Sequence, residues 1–165
     1  MNPIVKYFNG EKAESYVFIL IGVVAFAMAL YFLMHLKTPF WKGVAIPFIL
    51  VACLEFVVGY TIVTRTPSDL FRVENFMKQE LQNIKNLEIP RMEQVVRNFL
   101  IFRYLELILI GIGIILMYSS IKETYWRGIG FGLFIQASIV LGLDFFAEKR
   151  GHIYLDYLQE IHSKK

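Results

Sequence analysis

Hydrophobic and polar positions divide this chain into four long apolar runs that are separated by more polar stretches. The runs cover residues 16–36, 44–64, 98–118 and 128–147. Each is about 20 residues long, which is the length that a helix needs to cross the hydrocarbon core of a bilayer. None shows the polar stripe, repeated every three to four residues, that a helix on a soluble core displays. The pattern predicts an all-α membrane protein, a four-helix bundle with one domain over residues 1–165.

Two further segments show helical periodicity outside the apolar runs. Thr66 as a capping residue and Pro67 at the first helical position predict a helix over residues 67–87. Its apolar residues recur at intervals of three and four, and they are Leu70, Val73, Met77, Leu81 and Ile84. The fourth run is predicted to continue into a second helix over residues 148–162, with a bend or break at Gly151. Amphipathic helices of this kind lie on a membrane surface or bind a protein partner.

Lys and Arg residues are unevenly divided between the two sides that four spans would define. Twelve lie in the amino-terminal tail, in the stretch between the second and third runs and in the carboxy-terminal tail, whereas four lie in the two short connections. Because Lys and Arg concentrate in cytoplasmic loops, we expect both termini and the long central stretch in the cytoplasm. Trp41 and Trp126 lie in the short connections, as expected for an aromatic belt at the opposite interface.

The amino-acid composition excludes several classes of protein. Of the 165 residues, 56% are hydrophobic and 19% are charged, which is fewer charges than a soluble protein carries. Cys53 is the sole cysteine, so a disulfide framework, a redox pair of thiols and a thiolate metal cage are excluded. The basic residues are spread among acidic ones, so no nucleic-acid partner is expected, and no cofactor is expected either.

The two short connections resemble each other. Residues 40–44 (FWKGV) match residues 125–129 (YWRGI) at an offset of 85, and residues 18–22 resemble residues 107–111 at an offset of 89. The difference of four residues is about one helical turn, so the face of the helix would be kept. The likeness predicts two tandem helical hairpins related by an axis along the membrane normal. Similarity of apolar composition alone is the alternative explanation.

Four charged residues lie inside the apolar runs: Glu55, Arg103, Glu106 and Asp144. A charge at mid-membrane costs about 2.5–3.5 kcal/mol on insertion scales, so such residues normally face the bundle and pair with one another. In one interpretation Arg103 pairs with Glu55 or Glu106, or extends to the headgroups, and the cluster stabilises helix packing. In the other, three acids for one base leave a buried carboxylate as a proton or cation site, and Glu55 is the best candidate.

A polar ridge follows the fourth run. Asp144, Glu148, His152 and Asp156 recur at intervals of four and would share one helix face. Glu148, His152 and Asp156 are therefore candidate ligands of a divalent metal. However, carboxylate-bridged metal sites in bundles use Glu-x-x-His from two helices, and that pair is absent from the sequence. A solvated polar face is the competing interpretation.

Three short segments carry a resemblance to a known group of proteins. They are residues 8–15 (FNGEKAES), 89–93 (IPRME) and 146–151 (FAEKRG). Together they resemble a group of small four-span bacterial membrane proteins that has no assigned activity, and the likeness covers nearly the whole chain. The resemblance implies a bacterial inner (cytoplasmic) membrane location and supplies no catalytic residues.

Three functions are compatible with the sequence. The first is a non-enzymatic accessory subunit that binds a protein partner through its cytoplasmic helices, for example an immunity protein against a membrane-acting toxin. The second is a proton- or ion-coupled small transporter that uses Glu55 and forms a homo-oligomer. The third is a lipid-acting membrane enzyme that uses the polar ridge. The sequence shows no nucleophile–base pair and carries two amphipathic helices outside the spans, so the non-enzymatic accessory role in the lipid bilayer is favoured.

Overall fold

The computed structural model describes residues 3–79, 81–118 and 124–163, and the regular structure within these ranges is helical throughout. The elements are α1 (Pro3–Tyr31), a π-helical segment (Phe32–Leu36), α2 (Pro39–Gln79), α3 (Leu81–Asn83), a second π-helical segment (Ile84–Glu88), α4 (Ile89–Tyr118) and α5 (Thr124–Ser163). Four helical stretches are long and apolar enough to cross a membrane. The prediction of an all-α protein with four such helices is confirmed, and these helices make it a multi-pass membrane protein.

Helix α2 continues through the position at which a new helix was expected. It has 41 residues and is about 60 Å long at 1.5 Å per residue, roughly twice the hydrocarbon thickness of a bilayer. The predicted start at Thr66 is wrong, because the Thr66 hydroxyl donates to the Ile62 carbonyl at 2.6 Å instead of capping a helix. Such bonding to the preceding turn is compatible with a continuous helix, and Pro67 lies inside α2.

Helix α5 is likewise continuous over 40 residues. Residues 148–162 are the last part of α5, as expected for a continuation of the fourth run, and the helix is not broken at Gly151. A Cβ atom at Gly151 would stand 3.7 Å from Val96 of α4, an ordinary van der Waals distance. At Gly151 the helix therefore packs against α4 and stays regular, although glycine has a low helix propensity.

The four long helices pack as two pairs that meet through their second members. Helix α1 packs along α2, α4 packs along α5, and α2 contacts α5. Helix α1 also contacts α5, but over a smaller area. Among the described residues, no Cα atom of α1 or α2 lies within 8 Å of a Cα atom of α4. The side of the molecule between α1 and α4 is therefore not closed by helix packing.

Two glycines let the backbones of α2 and α5 touch. A Cβ atom at Gly43 would collide with the Tyr125 carbonyl oxygen, and a Cβ atom at Gly128 would collide with the Phe40 carbonyl oxygen. Small residues at helix crossings allow this close approach in membrane proteins. The same device recurs between α4 and α5, where a Cβ atom at Gly113 would lie 2.8 Å from the Gly130 carbonyl oxygen.

One end of the molecule has a core that mixes aliphatic and aromatic side chains. We call this the polar end, and it comprises residues 3–15, 65–79, 84–97 and 148–163. Its buried apolar residues are Ile4, Tyr7, Phe8, Val73, Ile84, Met92, Tyr154, Leu155 and Leu158. The rings of Tyr7 and Tyr154 stack at a centroid distance of 4.2 Å. The polar end is therefore closed along the bundle axis by packed side chains.

The apolar stripe that was predicted as a partner-binding surface belongs to this core. Val73 and Ile84 are 0% and 2% exposed, and Leu70 and Met77 pack against the same cluster. The side chain of Leu81 lies outside the described residues. Since these side chains pack inside the protein, they do not form an exposed docking face.

A second core closes the opposite end of the molecule. It is built from small residues of α1 and α2 and from two phenylalanines, with Ala25, Ala29, Phe32, Val44, Ala45, Phe48 and Ala52 buried. The Phe32 and Trp41 rings lie 4.6 Å apart. Lys37 ends the π-helical segment in the left-handed conformation (φ 50°), and its N–H donates to the Phe32 carbonyl. The chain is thereby turned from α1 into α2.

Candidate functional site

A cavity of about 440 Å³ lies between the two cores and is lined by α1, α2, α4 and α5. We call it the interhelical cavity. Most of its wall consists of Val, Leu, Ile, Ala and Phe side chains. Its acidic and basic lining residues are Glu11, Glu14, Glu55, Arg65, Glu106, Asp144 and Arg150. It is therefore an apolar space in which acidic groups outnumber basic ones.

Glu55 of α2 is nearly buried and lacks a polar partner. The residue is 4% exposed, and neither carboxylate oxygen accepts a hydrogen bond within the described part of the chain. The glycine at position 22 of α1 leaves room for this carboxylate, because a Cβ atom at Gly22 would stand 3.3 Å from Glu55 Oε2. A buried charge without a partner is costly, so this arrangement does not serve stability.

Glu106 of α4 faces the cavity beside Asp144 of α5. Both carboxyl groups line the same cavity, and they are close enough to interact electrostatically. Glu106 is 6% exposed, and its Oε2 atom has no hydrogen-bond partner among the described residues. The pair thus presents a second acceptor oxygen to the same cavity.

Arg103 does not pair with Glu55 or Glu106, so that part of the sequence interpretation is wrong. Its guanidinium forms an ion pair with Glu148 of α5. Arg103 lies one turn closer to the polar end than Glu106, and Glu148 lies one turn beyond Asp144 on α5. A long Arg side chain extends towards the polar end of its helix, so it meets the next acid along α5. The result is two polar layers between α4 and α5.

Two further ion pairs join α1 to its neighbours at the end of the cavity nearest the polar end. Glu14 pairs with Arg150 of α5, and Glu11 pairs with Arg65 of α2 at 2.9 Å. These four residues were not singled out from the sequence. The available signal was that Arg65 and Arg150 are 85 residues apart, which is the offset of the repeated connection.

The proposed metal-binding ridge is not assembled. Glu148 is engaged by Arg103, and His152 Nε2 lies 3.7 Å from Glu148 Oε1. Both His152 and Asp156 are exposed. Across residues 3–79, 81–118 and 124–163, no group of three or more His, Cys, Asp or Glu side chains is placed to hold a metal ion.

Another buried glutamate, Glu88, differs from those in the cavity because its polar atoms are well supplied with donors. It is 1% exposed and accepts hydrogen bonds from Arg91 at 2.6 and 2.9 Å. Tyr154 donates a further bond at 3.2 Å, and Arg72 approaches to 3.7 Å. This network lies within the core of the polar end and stabilises it.

The charges of the interhelical cavity do not balance. Pairing of Glu11 with Arg65 and of Glu14 with Arg150 leaves three acids, Glu55, Glu106 and Asp144, without a basic partner in its wall. Such a space is suited to binding protons or a cation. Comparisons with protein-family models, curated proteins and solved structures found no match.

Proposed function

We propose that this protein is a small proton- or cation-coupled transporter and that Glu55 is its binding group. The observation that carries the proposal is the unpartnered Glu55 carboxylate in an apolar cavity between four helices. Ionisable residues within membrane segments are costly and mark ion or substrate pathways when they are retained. Glu55 fits that description, whereas Glu88 with its three donors fits a structural role.

Coupling follows from competition for one carboxylate. A carboxyl group in an apolar space is favoured in its neutral, protonated form when no cation is near. A cation that enters the cavity stabilises the ionised form, so its binding releases a proton. Glu106 and Asp144 line the same cavity and would offer a second exchange step there.

The orientation in the membrane follows from the distribution of basic residues. Lys and Arg are concentrated at the polar end and in both tails, and in membrane proteins such segments face the cytoplasm. We therefore orient the polar end towards the cytoplasm in a bacterial inner membrane. In this orientation the acidic cavity lies in the inner half of the bilayer, next to the Glu14–Arg150 and Glu11–Arg65 pairs.

We also propose that the transporter consists of two tandem hairpins, α1–α2 and α4–α5. The contacts at the α2–α5 crossing are reciprocal, because Gly43 meets Tyr125 while Gly128 meets Phe40. Both residue pairs are related by the sequence offset of 85. The acids do not follow the repeat, since Val140 is the counterpart of Glu55. The two hairpins would then form a symmetric scaffold, whereas the binding group Glu55 would have no counterpart in the second hairpin.

An accessory role has less support. The apolar stripe from Leu70 to Ile84 was the reason to expect a protein partner, and its described members pack within the core of the polar end. The transporter proposal is therefore preferred to an accessory or immunity-type subunit.

Proteoliposomes test the proposed function. Purified protein is reconstituted with an entrapped pH-sensitive dye, and gradients of sodium, potassium and alkylammonium ions are imposed in turn. We expect proton movement in exchange for at least one of these cations, and its loss in Glu55→Gln. Glu93→Gln is the matched control, because Glu93 is an exposed glutamate outside the cavity. Absence of proton movement in the folded native protein with every cation contradicts the proposal.

A further inference from the structure

The shape of the interhelical cavity indicates what kind of cation it holds. The lining extends from Val51 to Arg65 on α2 and from Val95 to Leu109 on α4. Both stretches correspond to a length of about 21 Å at 1.5 Å per residue. A volume of about 440 Å³ spread over that length describes an elongated space. An extended hydrocarbon chain can follow such a space.

The wall chemistry favours an organic ion over an inorganic one. Hard metal cations require about six oxygen ligands or retained water, and the described residues contain no group of three or more candidate ligands. Around the acids the wall is instead made of apolar groups such as Leu54, Phe102 and Leu109. A cationic head group with an attached apolar chain satisfies the carboxylates and fills the remaining space.

The helix arrangement indicates the route of entry. The core around Tyr7 and Tyr154 closes the polar end, and the core around Phe32 and Phe48 closes the opposite end. Between α1 and α4 no pair of Cα atoms lies within 8 Å, in the part of the chain that the structure describes. Phe102, which lines the cavity from α4, is 48% exposed. The open side is thus apolar and faces the surrounding lipid.

We propose that the substrate is a single-chain amphiphile with a cationic amine head group, which enters from the bilayer between α1 and α4 and places its head group between Glu55 and the Glu106–Asp144 pair. This inference rests on the proposed function and names the substrate class of the same site. The apolar chain lies along the wall of the cavity and leaves through the gap between α1 and α4. Extraction from the membrane then requires no exposure of the chain to water.

A binding measurement with matched probes tests the substrate class. A fluorescent dodecylammonium derivative is titrated into the purified full-length protein in nanodiscs, beside a dodecylsulfonate derivative and tetramethylammonium. We expect saturable binding of the ammonium probe, with at least tenfold weaker binding of both comparators. Glu55→Gln is expected to weaken binding at least tenfold, and Glu93→Gln to leave it unchanged. Equal affinity for tetramethylammonium, or none for the ammonium probe, overturns the inference.

Chemical crosslinking tests the route. Phe18→Cys and Phe102→Cys place thiols on α1 and α4 in a Cys53→Ser background, and a long bifunctional maleimide joins them, since the separation of these helices exceeds disulfide reach. We expect crosslinking before addition of the probe to slow association at least tenfold, and crosslinking afterwards to slow release. A monofunctional maleimide is the control. Unchanged association after crosslinking overturns lateral entry.

The two proposals fail in different ways. Proton exchange with sodium or potassium that requires Glu55, combined with no binding of the ammonium probe, overturns the substrate class and keeps the transporter. Selective binding of the ammonium probe without any proton exchange overturns the transporter and supports the binding inference.

Discussion

Two regions of this protein contain buried glutamates, and the carboxylates of these glutamates differ in their hydrogen bonding. At the polar end, Glu88 is 1% exposed and receives donors from Arg91 and Tyr154. In the interhelical cavity, Glu55 is 4% exposed and receives none within the described residues. Burial is therefore nearly equal, and the supply of donors differs. A buried carboxylate with its donors in place stabilises the fold, whereas one without donors costs stability and indicates a retained function.

The largest expected effect is at Glu88. Glu88→Ala leaves Arg91 and Tyr154 without their acceptor in a packed core, and breaking a buried pair of this kind costs about 3 kcal/mol. The midpoint of thermal unfolding in detergent is expected to fall by roughly 10 °C, since 1 kcal/mol shifts it by about 2–4 °C at this chain length. A midpoint within 2 °C of the native value, by the same scale, would show that the network does not stabilise the protein.

Glu55 should behave in the opposite way. Glu55→Leu replaces an unpartnered carboxylate with an apolar side chain of similar volume, so we expect stability to rise by about 1 kcal/mol. The same variant should lose proton exchange in proteoliposomes. Thermal unfolding and flux measured on one preparation separate these effects. A fall in the unfolding midpoint would mean that Glu55 has a stabilising partner, and the contrast with Glu88 would disappear.

The expected change in stability at Arg103 lies between those at Glu88 and Glu55. Its side chain is 39% exposed, while that of its partner Glu148 is 12% exposed, so solvent weakens the pair. Arg103→Gln is expected to lower stability by about 1 kcal/mol, mainly by leaving Glu148 without its cation. Double-mutant cycles with Glu148→Gln measure the coupling. A coupling energy of zero would remove this pair from the forces that hold α4 against α5.

The smallest effect is expected for the pair of Arg65 and Glu11. The Arg65 side chain is 43% exposed, and surface ion pairs contribute about 0.5 kcal/mol. Arg65→Gln should therefore change the unfolding midpoint little, and the small loss should vanish at high salt because exposed charges are screened. Unfolding in low and in high salt checks this. A large loss that is insensitive to salt would assign Arg65 to the buried network.

Much of this fold could be predicted from the sequence because apolar runs of about 20 residues have few alternatives to membrane-spanning helices. The ends of the helices could be predicted less well. Thr66 and Pro67 carry a strong local start signal, yet α2 continues through them because the Thr66 hydroxyl bonds to Ile62 and Val73 is buried further along the same helix. Local capping preferences are worth about 1 kcal/mol, and packing of a long helix outweighs them.

The candidate site could be predicted in part from the sequence, for a related reason. The acids within the apolar runs were visible as costly residues, and the structure brings Glu55, Glu106 and Asp144 to one cavity. The partner of Arg103 was not predictable, because spacing along one helix does not give the register of α4 against α5. The ion pairs of Glu11 and Glu14 with α2 and α5 depend on the same unknown register.

The placement of the polar contacts bears on how the chain enters a bilayer during synthesis. Arg103 meets Glu148 and Glu106 meets Asp144, so both contacts lie between α4 and α5. Glu55 is accommodated by Gly22, so its space lies between α1 and α2. Each antiparallel couple can therefore shield its own ionisable groups from lipid before the other has been translated. Biogenesis by insertion of two successive units is the natural consequence, and the Glu14–Arg150 pair forms when the second unit packs against the first.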